Sequence, residues 1–106
     1  MSLFGTPIQV TSNTTLSNTD NALVQVDSSQ GAITVTLNNA ANVAVGSVIQ
    51  IKGNGSTFSN HITINVATGD TIDGNVTQRI LSGNWACLHL VNGYTDGSTT
   101  QNWFTD

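Results

Sequence analysis

The segment AITVTL, residues 32–37, decides the fold: Ile33, Val35 and Leu37 alternate with Thr34 and Thr36. A period of two is what a strand with one buried face requires, because successive side chains point to opposite sides of a sheet. ITINV, residues 62–66, follows the same rule, with Ile62, Ile64 and Val66 set against Thr63 and Asn65. Less regular apolar runs extend the pattern: ALVQV (22–26), SVIQIK (47–52), VTQRIL (76–81) and NWACLHLV (84–91). Between them lie turn-rich strings, DSSQG, NNAANVAVG, GNGSTFSN, GDTIDGN, SGN and NGYTDGST. Six core strands joined by short loops predict an all-β fold, a small antiparallel β-sandwich or jelly-roll-like domain. NNAANVAVG is too short to stand as a helix in water and reads as a loop or a single helical turn. The segments show no fixed repeat period, which argues against a solenoid or a propeller.

Composition agrees. The chain has 106 residues, among them 16 Thr, 13 Asn, 10 Ser and 6 Gln, and its 8 % of charged residues includes no Glu. Surface helices draw on Lys, Glu, Leu and Ala, whereas Thr and Val suit a pleated strand. With 38 % hydrophobic residues and a net charge of −4, the sequence lies outside the disordered class. A single domain of this length hides only about 60–65 % of the surface of its unfolded chain, so self-association is expected. Residues 21–106 form the expected β-sandwich domain. Residues 1–20, polar and holding the one proline, read as an N-terminal arm for a neighbouring subunit or as an edge strand.

Charge narrows the partners. Lys52 and Arg79 are the only fixed cations, too few to follow a phosphate backbone or an acidic bilayer, so neither nucleic acid nor membrane is an expected partner. The segment MSLFGTPIQV has no basic start and no long apolar core, which predicts a product made in the cytoplasm. Asn13, Asn54 and Asn75 each open an N-x-S/T sequon and carry no weight without a secretion signal.

GDTIDG, residues 69–74, is the stretch that most resembles chemistry. Its first reading is a structural turn: Gly69 and Gly74 permit left-handed backbone, Asp70 and Asp73 close local bonds, and Ile72 pins the turn inward. Calcium held by Asp70, Asp73 and Asn75 is the sharper alternative, but the ion wants six to eight oxygens, and the spacing is that of neither an EF-hand nor a nonapeptide repeat. A glycosidase pair would need one carboxyl in an apolar pocket, which glycines do not supply. His61 and His89 have no ligand-pair spacing and read as strand histidines. Cys87, in WACLHLV, reads as a buried reduced thiol. Trp85 opens an apolar strand and reads as a core or inter-subunit packing residue ahead of a sugar platform. Tyr94, Trp103 and Phe104, in or after a polar loop, are the candidate interface aromatics, exposed for contact with another chain. Catalytic residues, cofactors and metals are not expected.

The ordered set VQVDSSQGAITVTL, VIQIKGNGSTFSNHITIN, GDTIDG and a closing strand with Trp85 resembles a short β-rich module of tailed-bacteriophage virion surface proteins, found in tail fibres, head fibres and capsid decoration. The resemblance covers roughly residues 23–91. It departs at Asn38, where family members often place proline after the Thr-Leu pair. It implies a structural, non-enzymatic protein on the virion surface, commonly a homotrimer, whose partners are its own copies and the major capsid protein or another virion protein. It makes the 69–74 segment the family's turn. A copy beginning at its own Met suits a capsid decoration (cement) or head-fibre protein. The alternative is a tail-fibre or receptor-binding component that contacts host surface glycans.

Overall fold

A computed structural model describes residues 6–17, 21–54, 60–82 and 85–106. Among these lie nine strands: β1 (Ile8–Val10), β2 (Thr14–Thr15), β3 (Ala22–Val26), β4 (Ile33–Thr36), β5 (Val48–Gly53), β6 (Ile62–Asn65), β7 (Gln78–Leu81), β8 (Cys87–Tyr94) and β9 (Gln101–Thr105). They form two mixed sheets, ordered β1-β3-β5-β8-β9 and β2-β4-β6-β7. The turn strings GNGSTFSN and SGN, and the beginning of the N-terminal segment, fall partly outside the described residues.

The expected strands from Ala22 to Val91 are present, but the expected antiparallel arrangement is not. β1, β3 and β5 run parallel, as do β2, β4 and β6; only β6–β7, β5–β8 and β8–β9 are antiparallel. From β1 to β6 the chain passes alternately from one sheet to the other, laying each strand beside the one two places earlier. The result is a short stacked coil closed at its far end by antiparallel strands. Coiling therefore exists without a sequence period. Val24 lies opposite both Ile8 and Ile51, spacings of unequal length, because the corners that join the strands differ in size.

Stacking brings like beside like. Ile8, Val24, Ile51 and Leu88 form one inward row; Ala22, Ile49 and Leu90 form a second. In the other sheet Ile33, Ile62 and Leu81 align, and Val35 faces Ile64. These side chains, with Ile8 and Leu88 only partly buried at the margin, join Leu37, Ile72 and Trp103 in one cluster drawn from both sheets. Fully burying an aliphatic side chain contributes about 1.5–3 kcal/mol, so the rows supply the main drive for folding. Outward positions carry Thr34, Thr36, Thr63 and Asn65 on one sheet and Gln9, Gln25, Gln50 and Lys52 on the other.

β1 and β2 lie at the outer edges of the two sheets, and Val10 and Leu16 reach the core. Corners are tied by side chains. Asp27 Oδ1 accepts from Ser29 N at 2.9 Å, Ser28 Oγ donates to Asn60 O at 3.0 Å, and Asn60 Nδ2 donates back to Ser28 O at 2.8 Å. The alanine-rich loop forms one 3₁₀ turn, Ala40–Asn42, capped by Asn39, whose side chain accepts from Ala41 N at 3.0 Å.

Candidate functional site

The 69–74 corner is where the two sheets are fastened together. Gly69 and Gly74 take φ of 91° and 81°, backbone that a side chain resists, and Asp73 itself sits at 56°. These rotations fold the segment back so that Ile72 and Val76 exchange backbone bonds of 2.6 and 3.1 Å. They also press residues 71–73 against the free edge of β9: Trp103 N donates to Thr71 O, and Asp73 N donates to Trp103 O at 2.9 Å. Ile72 is fully buried between them.

The two carboxylates of the corner point to different places. Asp70 Oδ2 accepts from Ala40 N at 2.8 Å, holding the start of the 3₁₀ turn. Asp73 grips the end of β9. Its Oδ1 accepts from Thr105 N at 2.9 Å, while Oδ2 accepts from Thr105 Oγ1 at 2.6 Å and from Arg79 Nη2 at 2.9 Å. The Thr105 hydroxyl, then the Thr105 amide, and more weakly Arg79 hold the Asp73 carboxyl below the ordinary carboxylate range against a small desolvation effect. A carboxylate so held ties down the end of β9, and its lowered pKa does not suit it to act as a general acid. Among the described residues no three His, Cys, Asp or Glu side chains converge as a metal site would require.

Amide side chains that looked like loop filler complete the fastening. Asn92 is buried; its Nδ2 donates to Ala40 O at 3.0 Å and its Oδ1 accepts from Gln101 Nε2 at 2.9 Å. Gln101 Nε2 also donates to Val43 O at 2.7 Å, and Asn102 Oδ1 accepts from Thr71 N at 2.7 Å. The sequence signal was slight: two amides, Gln101 and Asn102, before a tryptophan at the end of a polar loop, and Asn92 at its start.

The aromatic residues fall differently from expectation. Trp103, expected as an exposed contact, is fully buried, because its strand pairs with β8 and the 71–73 segment covers its far side. Phe104 is half-buried on the outer face with its ring over Gly93, whose Cβ would lie 3.2 Å from it. Tyr94 is exposed. Trp85, read as a core or inter-subunit packing residue, is 58 % exposed and so lies outside the core, since β8 begins only at Cys87 and the backbone turns out at Trp85. Cys87 is a free thiol and is exposed, correcting the buried reading: register places Leu88 and Leu90 inward, so Cys87 and His89 face out. His61 is likewise exposed. An open hollow of about 280 Å³ lies beside β1, lined by Thr11, Ser12, Asn13 and residues 30–33, with no titratable side chain.

No protein-family model matches the sequence, and no curated protein matches it.

Proposed function

We propose that the chain is a structural protein of the exterior of a bacteriophage particle, a capsid decoration or head-fibre protein. In this reading the two sheets pack as a sandwich that self-associates as a homotrimer and binds the major capsid protein or another virion protein. One observation carries it: Asp70 and Asp73, the residues most suggestive of catalysis, are spent on holding the 3₁₀ turn and β9 in place. The outer faces of the sheets present mainly hydroxyls and amides, suited to adhesion at a broad contact. An interface of about 1,600 Å² is the usual scale for stable association. A protein that binds only the assembled shell stabilises it by mass action.

Quantitative mass spectrometry of purified particles tests this: hundreds of copies per virion support decoration, and absence from the particle refutes it. Light scattering at micromolar concentration tests the trimer, which a monomeric mass would refute.

The exposure of Trp85 and Tyr94 favours a second reading, a tail-fibre component that contacts host surface glycans, with a handful of copies per particle. Binding of the isolated protein to host cells distinguishes it from the first.

A further inference from the structure

Single exposed apolar side chains are ordinary on a protein surface and need no explanation. Trp85 adds a conformational cost to its exposure. Its φ of 60° lies in the left-handed region, where a bulky side chain is an outlier. Asn21 and Asp73 share that conformation, at 53° and 56°, but they belong to the types that tolerate it, and both use their side chains: Asn21 Oδ1 accepts from Val48 N, and Asp73 anchors Thr105. Trp85 takes this conformation while 58 % exposed, outside the buried core cluster.

The backbone beneath the indole is clamped from β5. Lys52 Nζ donates to Trp85 O, and Gly53 N donates to Ala86 O at 2.7 Å. Asn54, next in the chain, is exposed and fixed by its own N–H to Val26 O at 2.7 Å. An ammonium has three donors, so Lys52 keeps two beyond the one it gives Trp85.

The other exposed large apolar residues lie elsewhere. Tyr94 is at the opposite end of β8, Val45 belongs to the loop on that same far side, and Val76 and Ile80 belong to the second sheet and its corner. Among the described residues, then, the indole is a lone apolar plate with Lys52 and Asn54 close by in the chain fold. A protein partner would call for a contiguous apolar centre with a polar rim. A pyranose ring has one small C–H face bordered by hydroxyls, which suits a single flat aromatic with a few polar groups at its margin.

We propose that Trp85 is a stacking platform for a pyranose unit of a saccharide, with Lys52 and Asn54 as the hydrogen-bonding groups of the same corner. This rests on the second reading above and names its contact residue. The strained backbone holds the indole out before ligand arrives, so binding needs no reorganisation of the corner.

Fluorescence titration tests it, because Trp103 is buried and Trp85 is the tryptophan a sugar can reach. The probes are trisaccharides of glucose, galactose and N-acetylglucosamine, taken to about 20 mM to capture dissociation constants near 1 mM. At least one is expected to shift the emission saturably. In isothermal titration calorimetry Trp85→Ala should weaken that binding at least tenfold and Trp85→Phe should retain part of it, with the near-ultraviolet dichroism of Trp103 unchanged. Binding that survives Trp85→Ala overturns the platform while leaving the glycan reading intact. Failure of every probe overturns both. Loss of self-association in Trp85→Ala, with no sugar effect in the parent, would reassign the residue to an interface between copies.

Discussion

Replacing Ile72 with alanine tests whether the 69–74 corner is part of the core or a surface turn. Ile72 is fully buried and sits where residues 71–73 meet both Val76 and the edge of β9. The substitution removes three buried carbons, worth about 0.8 kcal/mol each in lost transfer energy, or about 2.4 kcal/mol. The cavity left behind adds to this, and buried Ile→Ala changes cost about 2–5 kcal/mol, so a loss of about 3 kcal/mol is expected. For a domain near this size each kcal/mol moves Tm by about 4–8 °C, which predicts a fall of roughly 12–24 °C. Urea unfolding followed by circular dichroism, at one fixed protein concentration because association also contributes, measures the change. A loss under about 1 kcal/mol with an unchanged m-value would refute the reasoning, since only a side chain outside the packed core is removed that cheaply.

Three further outcomes are expected. The folded-state pKa of Asp73 is depressed, so its contribution is full above the unfolded carboxylate pKa near 4 and is lost as pH falls through the lower folded value; Asp73→Asn should therefore flatten the acid limb of the stability–pH curve, and an unchanged limb would count against the Thr105 anchor. Trp85→Gly should raise stability by about 1 kcal/mol by relieving left-handed strain, read by the same urea curves; destabilisation would mean the indole packs within the folded chain. Cys87 should react with a thiol reagent in the native protein without denaturant, and protection until the protein is unfolded would place it in a covered interface.

The strands around AITVTL and ITINV were legible because alternation reports burial directly: Ile33, Val35, Ile62 and Ile64 are inward where their spacing puts them. Direction of pairing was not, since a period of two says which face is buried and nothing about the neighbour. The stacked coil escaped notice for a related reason. Its repeat lies in the register of Val24 with Ile8 and Ile51, while corners of unequal length erase any period from the chain. β9 was missed because its inward residues are Trp103 and polar neighbours, and Asn102 is buried only because Thr71 N meets its carbonyl oxygen. At the candidate site the inward role expected of Ile72 agrees with its burial, but the grip of Asp73 on a residue far along the chain had no local signature. Cys87, and Trp85 in its core reading, were misplaced by counting the apolar run from Trp85, two residues before β8 begins.

The switch from parallel to antiparallel pairing has a kinetic consequence. β6 and β7 are neighbours in sequence, as are β8 and β9, while β4 must wait for β6 and β3 for β5. Closing a short loop costs less entropy than closing a long one, so the late-synthesised hairpins are expected to acquire amide protection first, with the early strands zipping onto them. On the ribosome this runs against the order of emergence: β1 to β4 leave before the hairpins that would template them. A nascent chain stalled before Gln101 should then show protection in the β6–β7 hairpin and none in the β8–β9 pairing, as read by pulse-labelled hydrogen exchange.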